Sequence, residues 1–190
     1  HAPWAMAVMA NLRRDSADEV DMNWTDDGIM FRLPASDQPP ASESLVPSSD
    51  TVEEVITGEL GGTALFAARF RENAARALLL PRNRPGKRTP LWVQRRRSSD
   101  LLKVASQFHN FPILMETYRE CLRDVFDLRG LIQILQQVEQ RTIRVRSVTS
   151  STPSPFAAAL MFNYTGNFIY DGDAPLAERR ARSLALDYSQ

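Results

Sequence analysis

Residues 20–33 alternate apolar and polar side chains on both sides of Asp26-Asp27-Gly28. Val20, Met22 and Trp24 come before this turn signal, and Ile29, Phe31 and Leu33 follow it. A period of two puts alternate side chains on one face of a strand, and Asp-Gly favours a tight hairpin turn. The segment is therefore expected to be a β-hairpin, with Ile29 just past its tip. Most of the remaining chain follows a helical repeat. Pro3 suits the first position of a helix running through Leu12. Asp50 with Glu53 has capping-box spacing for a helix that Gly61-Gly62 would end. A second helix is expected from about Thr63 to Leu80, with Phe66, Phe70 and Ala77 on one side and Pro81 ending it. Thr89 and Pro90 suit the N-cap and first residue of a third. Helices are also expected at 112–126, at 128–140, from Pro155 through Tyr170 and from Pro175, with Asp171-Gly172-Asp173 as a turn. Residues 142–148 have the alternation of a strand, with Ile143 and Val145 between arginines.

The expected fold is α+β, a mostly helical bundle with a small β-hairpin module. Residues 1–33 would form the N-terminal helix and hairpin. Residues 34–50, PASDQPPASESLVPSSD, offer little to bury and are expected to be a mobile linker or long loop. Residues 51–190 would form the mainly helical part.

The 190 residues include 43% aliphatic and aromatic side chains, enough for a real core. The apolar run Phe156 to Phe162, which no other run exceeds, is far short of the roughly 18 residues of a membrane span. One cysteine, Cys121, leaves no internal disulfide and no cysteine-based zinc cluster. No basic-then-apolar leader opens the chain, so a cytoplasmic protein without a membrane partner is expected, and His1-Ala2-Pro3 reads as cut from a longer chain.

The formal net charge is zero, yet the charges are segregated. Residues 1–60 carry 3 basic and 12 acidic groups, whereas residues 73–99 carry eight basic groups and no acid. Such a block suits a polyanion; a solvated basic face, or a patch that pairs with the acidic N-terminal part, would explain it as well. At about 100° per residue, Leu91, Leu101, Leu102, Ala105 and Phe108 share one apolar stripe, the expected core face. Trp92 lies off that stripe among Arg95, Arg96, Ser99 and Lys103. A flat π-face beside phosphate-binding cations is what a single-stranded nucleic-acid site requires. Packing against another subdomain, with Arg96 over the indole, would explain the same pattern. Ile29 has two readings as well, a wedge between bases or the first inward residue of a strand.

Two nucleotide-binding signatures are absent: there is no GxxxxGK[ST] and no GxGxxG. His1 and His109 are too far apart in sequence for a recognisable metal set. Cys121 reads as a semi-buried structural thiol. Glu116 and Glu120 lie one helical turn apart, with Arg123 a possible partner for Glu120. No catalytic residue is expected.

The stretch GGTALFAARFRENAARALLLPRNRPGKRTPLWVQRRRSSDLLKVASQFHNFPILMETYRECLRDVFDL resembles the large helicase-related (Lhr) family. More narrowly, it is similar to the DEAD/H-associated region that follows the motor and winged-helix domains. TPSPFAAALMFNY and YDGDAPLAERRA resemble the same family, so the likeness spans about residues 52–187, and the opening helix and DDGI hairpin also fit.

The resemblance implies a parent that is a superfamily 2, ATP-dependent helicase. It would move 3′-to-5′ along a single strand and serve DNA repair. ATP and Mg would bind in motor domains outside this stretch, which itself would hold no cofactor. The partners implied are single-stranded DNA or a DNA/RNA hybrid, and the motor and winged-helix domains of the same parent. Trp92, in the TPLW motif, would stack on a base, and Ile29, in DDGI, would be a second base contact. Lys87, Arg88, Arg95, Arg96 and Lys103 are the expected phosphate contacts. A docking module packing on the motor domains without touching nucleic acid is the alternative.

Overall fold

The structure is a computed structural model that describes residues 1–15, 20–33, 41–81, 89–108 and 110–170; for Asp15 and residues 166–170 only the backbone is described. The expected helix from Pro175 and the turn at 171–173 lie outside these residues, as do residues 34–40 of the expected linker. The fold is α+β and mostly helical, with one small antiparallel sheet among the described residues. The chain groups into two units. One is drawn from the described residues of 1–59 and 128–170, the other from those of 60–127.

The first unit is built around the hairpin. Strands β1 (Asp21–Thr25) and β2 (Gly28–Arg32) pair antiparallel, with Met22 opposite Phe31 and Trp24 opposite Ile29. The hairpin forms as expected, but its two-residue turn is Asp26-Asp27, and Gly28 of the Asp-Gly signal is already the first residue of β2, paired with Thr25. One face packs on helix α1 (Ala2–Asp15), where Met22, Phe31 and Leu33 lie against buried Val8, Met9, Leu12 and Val20. The other face carries Asp21, Gly28 and Arg32. It meets a helix spanning Pro155–Tyr170, the α7 of this chain. Tyr164 donates its hydroxyl to Asp21 Oδ2 at 3.1 Å and accepts from Arg32 Nη1 at 3.1 Å. A Cβ on Gly28 would lie 3.4 Å from Leu160 Cδ1, an ordinary van der Waals distance. Helices therefore cover both faces of the hairpin, and packing against a helix is what makes a two-stranded sheet stable in water.

Residues 41–50 are not the free linker expected from their composition. Ser42–Leu45 form a 3₁₀ turn whose Leu45 packs on the α1 core, and Trp4 Nε1 donates to the Leu45 carbonyl at 2.8 Å. Pro47 and Ser49 are buried. Helix α2 (Val52–Leu60) follows, ending at Gly61-Gly62 as expected. Helix α6 (Leu128–Glu139) belongs to this unit, and its Glu139 accepts from the Ser49 amide at 2.8 Å and the Ser49 hydroxyl at 2.7 Å. These two donors, with Ser48, hold the Glu139 carboxyl below its ordinary pKa. Residues 142–148 are not a strand, because among the described residues no backbone partner runs beside them.

The second unit contains α3 (Ala64–Arg76), α4 (Leu91–Ala105) and α5 (Pro112–Glu120), which runs on into a π-helical turn at Cys121–Val125. Thr63 caps α3 by accepting from the Phe66 amide at 3.1 Å. Helix α3 ends four residues short of the expected Leu80: Leu78 adopts φ 61°, and Ala77 is exposed rather than on the apolar face. Phe66 and Phe70 fill the core, and Phe66 tilts against Tyr118 with ring centroids 4.5 Å apart. Thr89 was the expected cap of α4, but Pro90 occupies the N-cap position and makes no side-chain cap bond.

Candidate nucleic-acid interface

Helix α4 packs against α3 through its smallest side chains. Ser98 is 4% exposed and Ala105 is buried, whereas Leu101 and Leu102 are half-buried. Small residues let the two backbones approach closely. The expected core stripe fails at both ends: Leu91 is 69% and Phe108 59% exposed. Leu91 opens the helix, and Phe108 lies beyond its last turn at Ser106, so both extend past the packed middle. Ser98, which the sequence reading left out of the stripe, sits at its centre.

Trp92 is roughly 130° around the helix from the buried face and is 66% exposed. Arg95, Arg96, Ser99 and Lys103 are exposed with it. Among the described residues, no ion pair engages Arg95, Arg96 or Lys103, and no hydrogen bond, ring contact or cation–π pair engages Trp92. The arginine-stacked, packed indole therefore does not occur within the described residues. Asp100 is the single acid on α4. Leu91, next to Trp92 in sequence, is exposed as well, which the sequence reading missed by assigning Leu91 to the core.

Lys87 and Arg88 lie outside the described residues. Ile29 belongs to the other unit. It is half-buried on β2 opposite Trp24, on the same hairpin face as Phe31, and two residues past the turn. Its placement suits an inward strand residue whose edge reaches solvent near the tip.

The titratable groups beneath α4's neighbours have structural roles. Asn73 donates to Thr117 Oγ1 at 3.1 Å and to Glu120 Oε2 at 2.9 Å, and Arg76 pairs with Glu120 Oε1 at 2.7 Å. Glu120 thus pairs with Arg76 across two helices, not with Arg123. Glu116 is held below its ordinary pKa by the Arg119 guanidinium, which pairs with it on the same helix. Burial pushes the Cys121 thiol up to about 11, against the opposing pull of Arg69, so it stays neutral and unreactive near pH 7. No group of three or more His, Cys, Asp and Glu converges among the described residues, and no helix there is long and apolar enough to cross a membrane.

Comparison with known proteins places these features in a family. Residues 1–157 match the family model described as DEAD/H associated. The chain is 52% identical to an Lhr helicase of Mycolicibacterium smegmatis and 44% identical to the "Lhr helicase/uracil glycosylase" of Escherichia coli. Each alignment covers 98% of this chain but 12% of the relative. Among solved structures, Mycobacterium smegmatis helicase Lhr bound to ssDNA and AMP-PNP superposes with a TM-score of 0.74 at 46% identity. That match covers 85% of this chain and 21% of the other.

Proposed function

Because the chain belongs to the DEAD/H-associated family, as part of an Lhr-type helicase, we propose that it binds the tracking single strand for an ATP-dependent motor. Trp92 stacks on an unpaired base. Arg95, Arg96 and Lys103 neutralise the adjoining phosphates, joined by Lys87 and Arg88 from the preceding loop. Ile29 supplies a second base contact from the hairpin. The parent moves 3′-to-5′ with ATP and Mg held by its motor domains, acts in DNA repair in the cytoplasm, and takes single-stranded DNA or a DNA/RNA hybrid.

The observation that carries this reading is a two-thirds exposed indole on a cationic helix face, with no protein partner among the described residues. A large aromatic surface left in water is unfavourable, and a nucleobase removes it from water while the cations beside it keep the phosphates in register. The solved relative was bound to ssDNA and AMP-PNP, which supports both the strand and the nucleotide.

The test is tryptophan fluorescence in a chain where Trp4 and Trp24 are replaced by Phe. Quenching on addition of an unlabelled oligothymidylate is expected. A second reading is favoured by Leu91, Val104 and Phe108, which are also exposed along or just beyond α4. In that reading the helix docks on the motor domains. An emission that ignores oligonucleotide but shifts when the motor domains are added would establish docking and remove stacking.

A further inference from the structure

We propose a second anion site in the first unit, a groove in which Arg141, Arg144 and Arg146 hold the phosphodiester backbone of a single-stranded nucleic acid. This rests on the reading of the chain as a strand-binding domain, but it uses no residue named for it. The groove has a volume of about 690 Å³ and lies between the 3₁₀ turn, the end of α6 and the segment that follows. Val46, Val138, Ile143 and Val145 form its apolar lining, and Glu43 is its one acid.

Three observations converge here. Arg141 terminates α6 at φ 60°, a conformation that glycine adopts most easily, so the turn carries a bulky cation where packing alone would favour none. Its amide donates to the Val138 carbonyl at 3.0 Å, and the Thr142 and Ile143 amides both donate to the Gln137 carbonyl, which pins the start of the segment. Beyond Ile143 the backbone has no regular partner among the described residues, and residues 141–150 are all exposed. Arg144 and Arg146 are therefore both open to solvent in the groove they line.

None of the three arginines has an ion-pair partner among the described residues, although Glu43 lines the same groove. The planar fork of arginine takes phosphate oxygens two at a time, and the valines and Ile143 offer apolar surface to sugars and bases. Three cations against one acid favour a polyanion.

The test is fluorescence anisotropy of a labelled oligothymidylate with this chain, with the salt concentration varied. Arg141→Gln/Arg144→Gln/Arg146→Gln should lower the log–log salt slope by about 2, since each single-strand phosphate contact contributes about 0.7. Arg144→Gln/Arg146→Gln, which leaves the turn at 141 intact, should lower it by about 1.4. Trp92→Ala should lose affinity at an unchanged slope. An unchanged slope in both arginine variants overturns the groove while leaving the role of Trp92 standing. An equal fall in Arg14→Gln/Arg123→Gln/Arg129→Gln, which removes the same charge elsewhere, also overturns it. Polyglutamate binding with the same arginine dependence would reassign the groove to an acidic protein segment. No binding by the unaltered chain at low salt overturns both readings.

Discussion

Tyr118 stands over Gly61 so closely that a Cβ on the glycine would lie 2.7 Å from the tyrosine hydroxyl oxygen. The ring cannot easily retreat, because Phe66 tilts against it in the same core. Burial also lifts the Tyr118 phenol above its ordinary pKa, with Cys121 adding to the effect. Gly61→Ala is expected to destabilise the second unit by about 1–3 kcal/mol through overpacking. Removing the hydroxyl should relieve the clash, so Gly61→Ala should cost less in a Tyr118→Phe background. Urea denaturation of the four proteins checks this, and an equal cost in both backgrounds would show that the methyl is accommodated elsewhere.

Asn73 joins α3 to α5 through Thr117 and Glu120. Asn73→Ala should lower stability by about 1–3 kcal/mol, because the buried polar groups it serves lose a partner. Glu120 keeps Arg76, so the unit should still fold. Thermal unfolding followed by circular dichroism measures the loss, and a midpoint unchanged from the parent would deny the network a structural role.

Trp92 is 66% exposed and has no hydrogen-bond or ring partner within the described residues, so Trp92→Ala should leave the unfolding midpoint nearly unchanged. Stacking on one base contributes about 1–3 kcal/mol, so affinity for an oligothymidylate should fall about 5- to 150-fold. Titration under fixed salt reads the change. A variant that binds as well as the parent would place the strand elsewhere.

Glu139 links α6 to the 41–50 segment through Ser49. Its carboxyl is held below the ordinary value of 4.5 when folded and relaxes to that value when unfolded. The stability it contributes is therefore present above about pH 4.5 and lost as pH falls through the lower folded value. Glu139→Gln should flatten this part of the acid profile. Denaturation midpoints from pH 7 to pH 3 test the sign, and parallel profiles for the two proteins would exclude the linkage.

Much of this molecule was determined by sequence alone, because local chemistry specifies local form. The alternation around Asp26-Asp27-Gly28 set the hairpin and placed Trp24 and Ile29 near its tip, and Gly61-Gly62 stopped a helix. The 3.6-residue repeat separated Trp92 and its cations from the buried side of their helix. Tertiary structure alone decided what each helix touches. Ser98 took the place expected for Leu91 and Phe108 because close packing on α3 rewards small side chains over a short overlap. Leu45, Pro47 and Ser49 became ordered in a polar segment because α1 and α6 happened to lie within reach. Residues 142–148 had a strand's alternation and no neighbouring strand to pair with. Backbone pairing and burial depend on residues far away in the chain, and a local pattern carries no information about which of them arrive.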